Sequence, residues 1–72
     1  MDPKLVAALH DAYANAPAEN VVVRIHLFGI RYARELPGMN LLALVQATGV
    51  PRSFHAEIRK GIRLADYVDI KH

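Results

Sequence analysis

The sequence predicts an all-α fold of four to five helices, with a possible short extended segment near the C-terminal end. Three observations point there. Apolar residues recur at three- and four-residue spacing over most of the chain, the mark of helices with one buried face. The breaks between those runs, at Pro17, Pro37-Gly38 and Gly49-Val50-Pro51, are residues that end one helix and start another. The 72 residues contain no cysteine and are 53% apolar, so stability has to come from compact helix packing or self-association rather than disulfides.

The first helix is expected over residues 3–15, with Asp2 as its cap and Pro3 at the first helical position. Leu5, Val6, Leu9, Ala12, Tyr13 and Ala16 form its apolar stripe, and Asn15-Ala16-Pro17 ends it. Residues 19–36 read two ways: residues 23–27 alternate like a strand, whereas Val21, Ile25, Phe28, Tyr32 and Leu36 form a helical stripe opposite Asn20, Arg24, Arg31 and Glu35. Length decides for a helix, because half-buried strands rarely exceed about eight residues. Gly29 inside it costs about 1 kcal/mol against alanine, which points to a close helix crossing.

Asn40 is placed to cap a third helix whose inner face is Leu41, Leu44, Val45 and Thr48. Gly49 suits the left-handed residue just past its end, and Val50 the apolar contact that follows. Pro51 presets the first turn of a fourth helix, expected to run to Lys60 with Gly61 as its end. The tail, residues 62–72, fits a short helix through Ile62, Ala65 and Asp66 or an extended segment, because Tyr67, Val68, Asp69 and Ile70 alternate. Residues 1–72 are expected to form one domain, with no internal repeat, linker or low-complexity segment.

Charge is unevenly spread. Residues 1–20 carry −2, residues 21–63 carry +5 and residues 64–72 carry −1, for a net charge of +2. A positive centre favours an anionic partner. The apolar runs are far shorter than the roughly 20 residues a bilayer needs, and no signal peptide is visible, so a cytoplasmic protein without a membrane partner is expected. His10, His26, His55 and His72 lack helical metal-pair spacing, so neither a metal nor another cofactor is expected. His55 is expected to be a half-buried packing residue and His72, at the terminus, to be mobile. Scattered carboxylates, hydroxyls confined to Thr48 and Ser53, and the lack of a glycine-rich phosphate loop argue against an enzyme.

The stretch NLLALVQATGVPRSFHAEIRKG, residues 40–61, resembles the helix-turn-helix family of DNA-binding domains. The resemblance rests on Leu44 and Val45 before the turn, Gly49 in it, Val50 after it and Ile58 in the second helix. The chain departs from the family pattern at Val45, where alanine is usual, at Pro51, where a serine or threonine cap is usual, and at His55, where an aliphatic is usual. The resemblance implies that the helix at about residues 51–60 enters the major groove of double-stranded DNA. It also implies a small regulator of transcription in a bacterium or phage, acting as a homodimer on half-sites about 34–36 Å apart.

A helical wheel at about 100° per residue supports that reading. Phe54, Ile58 and Ile62 share one side, with His55 at its edge; Ser53, Ala56 and Lys60 face away, bordered by Arg52, Arg59 and Arg63 on one flank and Glu57 on the other. Small residues in the middle let a helix sink into a groove, and long cations reach the phosphates beside it. Arg52 and Ser53 are expected at base edges, Arg52 bridging guanine O6 and N7. Glu57 is expected to accept from a cytosine amine or to restrain Arg52. Arg59, Lys60 and Arg63 are expected on phosphates, and Asn40 and Gln46 on the DNA backbone. Arg31 and Arg34 either extend this surface or are solvated. Helix one or the apolar tail would supply the dimer interface. The rival reading is a helical interaction module, antitoxin-like or a phage accessory protein. It would bind a larger protein through Phe28, Tyr32 and residues 41–45.

Overall fold

The computed structural model describes residues 2–71 and contains four α-helices, with no strand among those residues. Helix α1 is Pro3–Ala14, α2 is Val21–Arg31, α3 is Leu41–Thr48 and α4 is Phe54–Leu64; a 3-10 turn, Ala18–Asn20, precedes α2. His72 lies outside the described residues. The caps act as expected: the Asp2 side chain accepts from the Lys4 amide at 2.9 Å, and Asn40 Oδ1 accepts from the Ala43 amide at 3.0 Å.

The core is built from one face of each helix. Leu5 and Leu9 of α1, Ile25 and Phe28 of α2, Leu41, Leu44 and Val45 of α3 and Ile58 of α4 are buried with Leu36 and Val50 from the connections. No polar or charged residue is buried among the described residues, so the core is held by apolar packing alone. Helix α1 packs on α2 and α3, and α4 packs on the same two. The Tyr13 and Phe54 rings add an edge-on contact between α1 and the start of α4, with centroids 5.9 Å apart. Burial of Ile25 and Phe28, three residues apart, overrides the strand propensity of the three valines that open α2.

Four expectations are corrected. The second helix stops at Arg31, and residues 32–36 turn back so that Leu36 enters the core. Lys4 holds that turn against α1, its Nζ lying 3.1 Å from Glu35 and 5.5 Å from the Tyr32 ring centroid. The fourth helix begins at Phe54 rather than at Pro51 and continues to Leu64, so Gly61 lies inside it. Phe28, Leu41, Leu44 and Val45, offered as a docking face for a larger protein, are core residues and present no such face.

Gly61 has a partner. A β-carbon on Gly29 would lie 2.5 Å from the Ile58 carbonyl oxygen and 2.9 Å from the Gly61 Cα, and one on Gly61 would run into the His26 carbonyl. The two glycines therefore let the α2 and α4 backbones meet directly, which confirms the close crossing expected at Gly29. His26 sits beside Glu57, and Ile30 shares a groove with Ile62, so the two helices run side by side in the same sense.

Candidate nucleic-acid interface

The corner between α3 and α4 is fixed by short-range bonds. Gly49 takes φ 76°, the left-handed region open to glycine at little cost, and its amide donates to the Gln46 carbonyl at 3.3 Å. The Thr48 hydroxyl donates to the Val45 carbonyl at 2.8 Å and accepts from the Val50 amide at 3.4 Å. Val50 then plugs into the core, 5% exposed. Residues 51–53 form a tight turn in which the Phe54 amide donates to the Pro51 carbonyl and the His55 amide to the Arg52 carbonyl.

His55 explains the unusual start of α4. Ser53 makes no capping bond, and instead His55 Nδ1 lies 2.9 Å from the Arg52 carbonyl oxygen. A carbonyl only accepts, so Nδ1 carries the proton and donates. The imidazole thus fastens the opening turn, which leaves the Ser53 hydroxyl and the Arg52 side chain at the surface.

Arg52, Ser53, Ala56, Arg59, Lys60 and Arg63 are all exposed, whereas Ile58 and Gly61 are buried and Phe54 and Ile62 half-buried. Ala56, Arg59 and Arg63 recur at three- and four-residue steps, which aligns them in one stripe along α4, and Arg52 stands in the turn that leads into it. Eleven residues at 1.5 Å make α4 about 16 Å long, against a major groove about 12 Å wide. Among the described residues no arginine has a carboxylate within salt-bridge distance, so Arg52, Arg59 and Arg63 are free to meet an anion.

Glu57 lies elsewhere. Its side chain is 18% exposed and turned toward α2, with Oε1 3.1 Å from Lys60 Nζ and Oε2 3.5 Å from His26 Nε2. Neither Oε2 nor His26 Nε2 has a hydrogen-bond partner. The Lys60 hydrogen bond holds the Glu57 carboxyl below its ordinary value; partial burial opposes that, and His26 adds to the lowering. The restraint foreseen between Glu57 and Arg52 is replaced by this cluster, which ties Lys60 to a carboxylate. Asn40 spends its side-chain oxygen on the α3 cap, and Gln46 is exposed three residues before Gly49. Arg31 and Arg34 line a groove with Arg63, but Glu35, Asp66 and Asp69 line it too, so it carries both signs.

Three residues outside the expected set organise the site: His26, Gly61 and His55. His26 lies three residues before Gly29, and Glu57 four before Gly61, so the pairing was visible once the two glycines were matched.

A family model described as an HTH-like domain matches residues 1–71, so the likeness carried by residues 40–61 extends over nearly the whole chain. No curated protein and no solved structure matches it. The chain belongs to the family of HTH-like domains, and that membership suggests DNA binding in general.

Proposed function

We propose that the chain is one sequence-specific, double-stranded DNA-binding domain that acts as a small cytoplasmic regulator of transcription in a bacterium or phage. The observation that carries this reading is the exposed stripe Ala56, Arg59 and Arg63 with Arg52 in the turn before it, which has no carboxylate against any of its cations. Arg52 and Ser53 read base edges at the entry to the groove, Ala56 lets α4 approach the groove floor, and Arg59 and Arg63 bind phosphates on either side. Lys60, tied to Glu57, contributes less; Glu57 supports α4 from behind rather than reading a base. Asn40 and Gln46 are the candidates for backbone contacts from α3. Two copies acting together read two half-sites. Domains of this kind are typically non-enzymatic, and no chemical step enters the proposal. Among the described residues no helix is long and apolar enough to cross a membrane.

The test is a titration of labelled duplex DNA at several salt concentrations. Two phosphate-binding cations per copy, Arg59 and Arg63, give a slope of log K against log salt of about −2 for one domain. Arg52→Ala is expected to relax sequence preference by about 1–3 kcal/mol at one base pair. Binding at low salt that is indifferent to Arg52→Ala and Arg59→Ala would remove this reading.

A further inference from the structure

We propose that the outer face of α2, with Leu64 and Tyr67 beside it, is an interface that pairs antiparallel with the same face of a second copy of this chain. Val22 is 42% exposed, Val23 52%, Leu27 36%, Leu64 39% and Tyr67 83%. They form one patch. Val22, Val23 and Leu27 surround His26 on the outside of α2, and His26 shares a hollow with Leu64 and Tyr67 that Lys60 and Arg63 also line. Among the described residues nothing covers this patch, although the same helix buries Ile25 and Phe28 on its other side.

The occupant follows from area, charge and symmetry. These five side chains leave on the order of 500 Å² of largely apolar surface open, about two-thirds of the roughly 800 Å² each partner contributes to a stable interface. Val22, Val23 and Leu27 carry no charge, so the α2 part of the face sets no like charges together, while the exposed Lys60 and Arg63 mark its α4 rim. The rim toward α1 carries both signs, with Asp11, Arg24 and Arg31 along one groove and Asp69 beside Arg31 in the next. Antiparallel pairing brings such a rim against its own copy, where opposite charges can meet.

Symmetry adds an independent reason, which rests on the DNA-binding reading. A two-fold axis perpendicular to α2 and lying in the interface turns α2 antiparallel to its copy and leaves both α4 helices on the same flank. Gly61 faces α2, and the Ala56, Arg59 and Arg63 stripe lies roughly opposite it on α4, at about 100° per residue. The stripe therefore points away from α2, and both stripes of the pair face the same way. The symmetry that buries the apolar patch is thus the symmetry that a two-fold DNA site needs.

Sedimentation of the purified chain tests this. Wild type is expected to sediment at twice 8.0 kDa, and Val23→Glu/Leu27→Glu at 8.0 kDa, with association weakened about a hundredfold by paired like charges. Both side chains are exposed, so helix content by circular dichroism should be unchanged. Should the double variant lose helicity, Tyr67→Ser is expected to weaken association about tenfold on its own. Val68→Glu, outside the patch, should leave the dimer intact. A wild-type monomer at every concentration, with or without duplex DNA, overturns the pairing and leaves the face to a different protein. A dimer broken by Val68→Glu but not by Val23→Glu/Leu27→Glu overturns this face, and open-ended oligomers overturn the two-fold. A dimer of the expected behaviour that fails to bind duplex DNA supports the pairing and removes the DNA reading alone.

Discussion

At the scale of single residues, the α4 surface was legible and its inner edge was not. The wheel separates Arg52, Ala56, Arg59 and Arg63 from Phe54, Ile58 and Ile62 because one face of α4 is apolar and the other is not. The position of Glu57 was hidden because it depends on which helix lies alongside, and His26 is more than thirty positions away. Two outcomes follow. Arg59→Ala and Arg63→Ala should each lower the salt slope of DNA binding by about one, read by fluorescence anisotropy across a salt series. Glu57 titrates below its ordinary value of 4.5 in the folded chain, so its contribution to stability is present above that pH and is lost as the pH falls through the lower folded value. Thermal melting in acid should therefore be steeper in pH for wild type than for Glu57→Gln. Lys4 behaves oppositely. Its hydrogen bond and charge contact with Glu35 raise its pKa above 10.5, so its contribution is present below that pH and is lost as the pH rises through the folded value.

At the scale of elements, the starts of α1 and α3 were easier to see than the ends of α2 and α4. Asp2 and Asn40 are caps whose chemistry is local, and Gly49 marks a left-handed turn that the backbone needs whatever surrounds it. The end of α2 and the interior place of Gly61 were set by packing, by the return of Leu36 to the core and by the meeting of two backbones. The glycines should differ when substituted. Gly49→Ala meets open space and suffers only left-handed strain, about 1 kcal/mol. Gly29→Ala would press a methyl group onto the Ile58 carbonyl and should cost about 3 kcal/mol, at the upper end for overpacking. A single core of this size rarely supplies more than about 3–5 kcal/mol, so urea denaturation should find Gly29→Ala close to unfolded and Gly49→Ala merely weakened.

At the scale of the whole molecule, the sequence carried the all-α class and the concentration of positive charge between residues 21 and 63, both of which are sums over many positions. It could not show which apolar residues stay outside, since Val22, Val23 and Leu27 look as suited to a core as Ile25 and Phe28 until the four helices are assembled. A duplex bearing an inverted repeat with centres about 34–36 Å apart should bind more tightly than a single half-site, and with steeper dependence on protein concentration. Electrophoretic mobility shift would resolve one- and two-copy complexes. The contact between Gly29 and Gly61 has a mechanical result for such a site. With no side chains between the two backbones, a change of rotamer cannot shift α4 against α2. One inserted base pair moves the half-sites apart by about 3.4 Å, and if two copies pair through α2 as proposed, a reader packed this closely on that helix should lose affinity for such an operator.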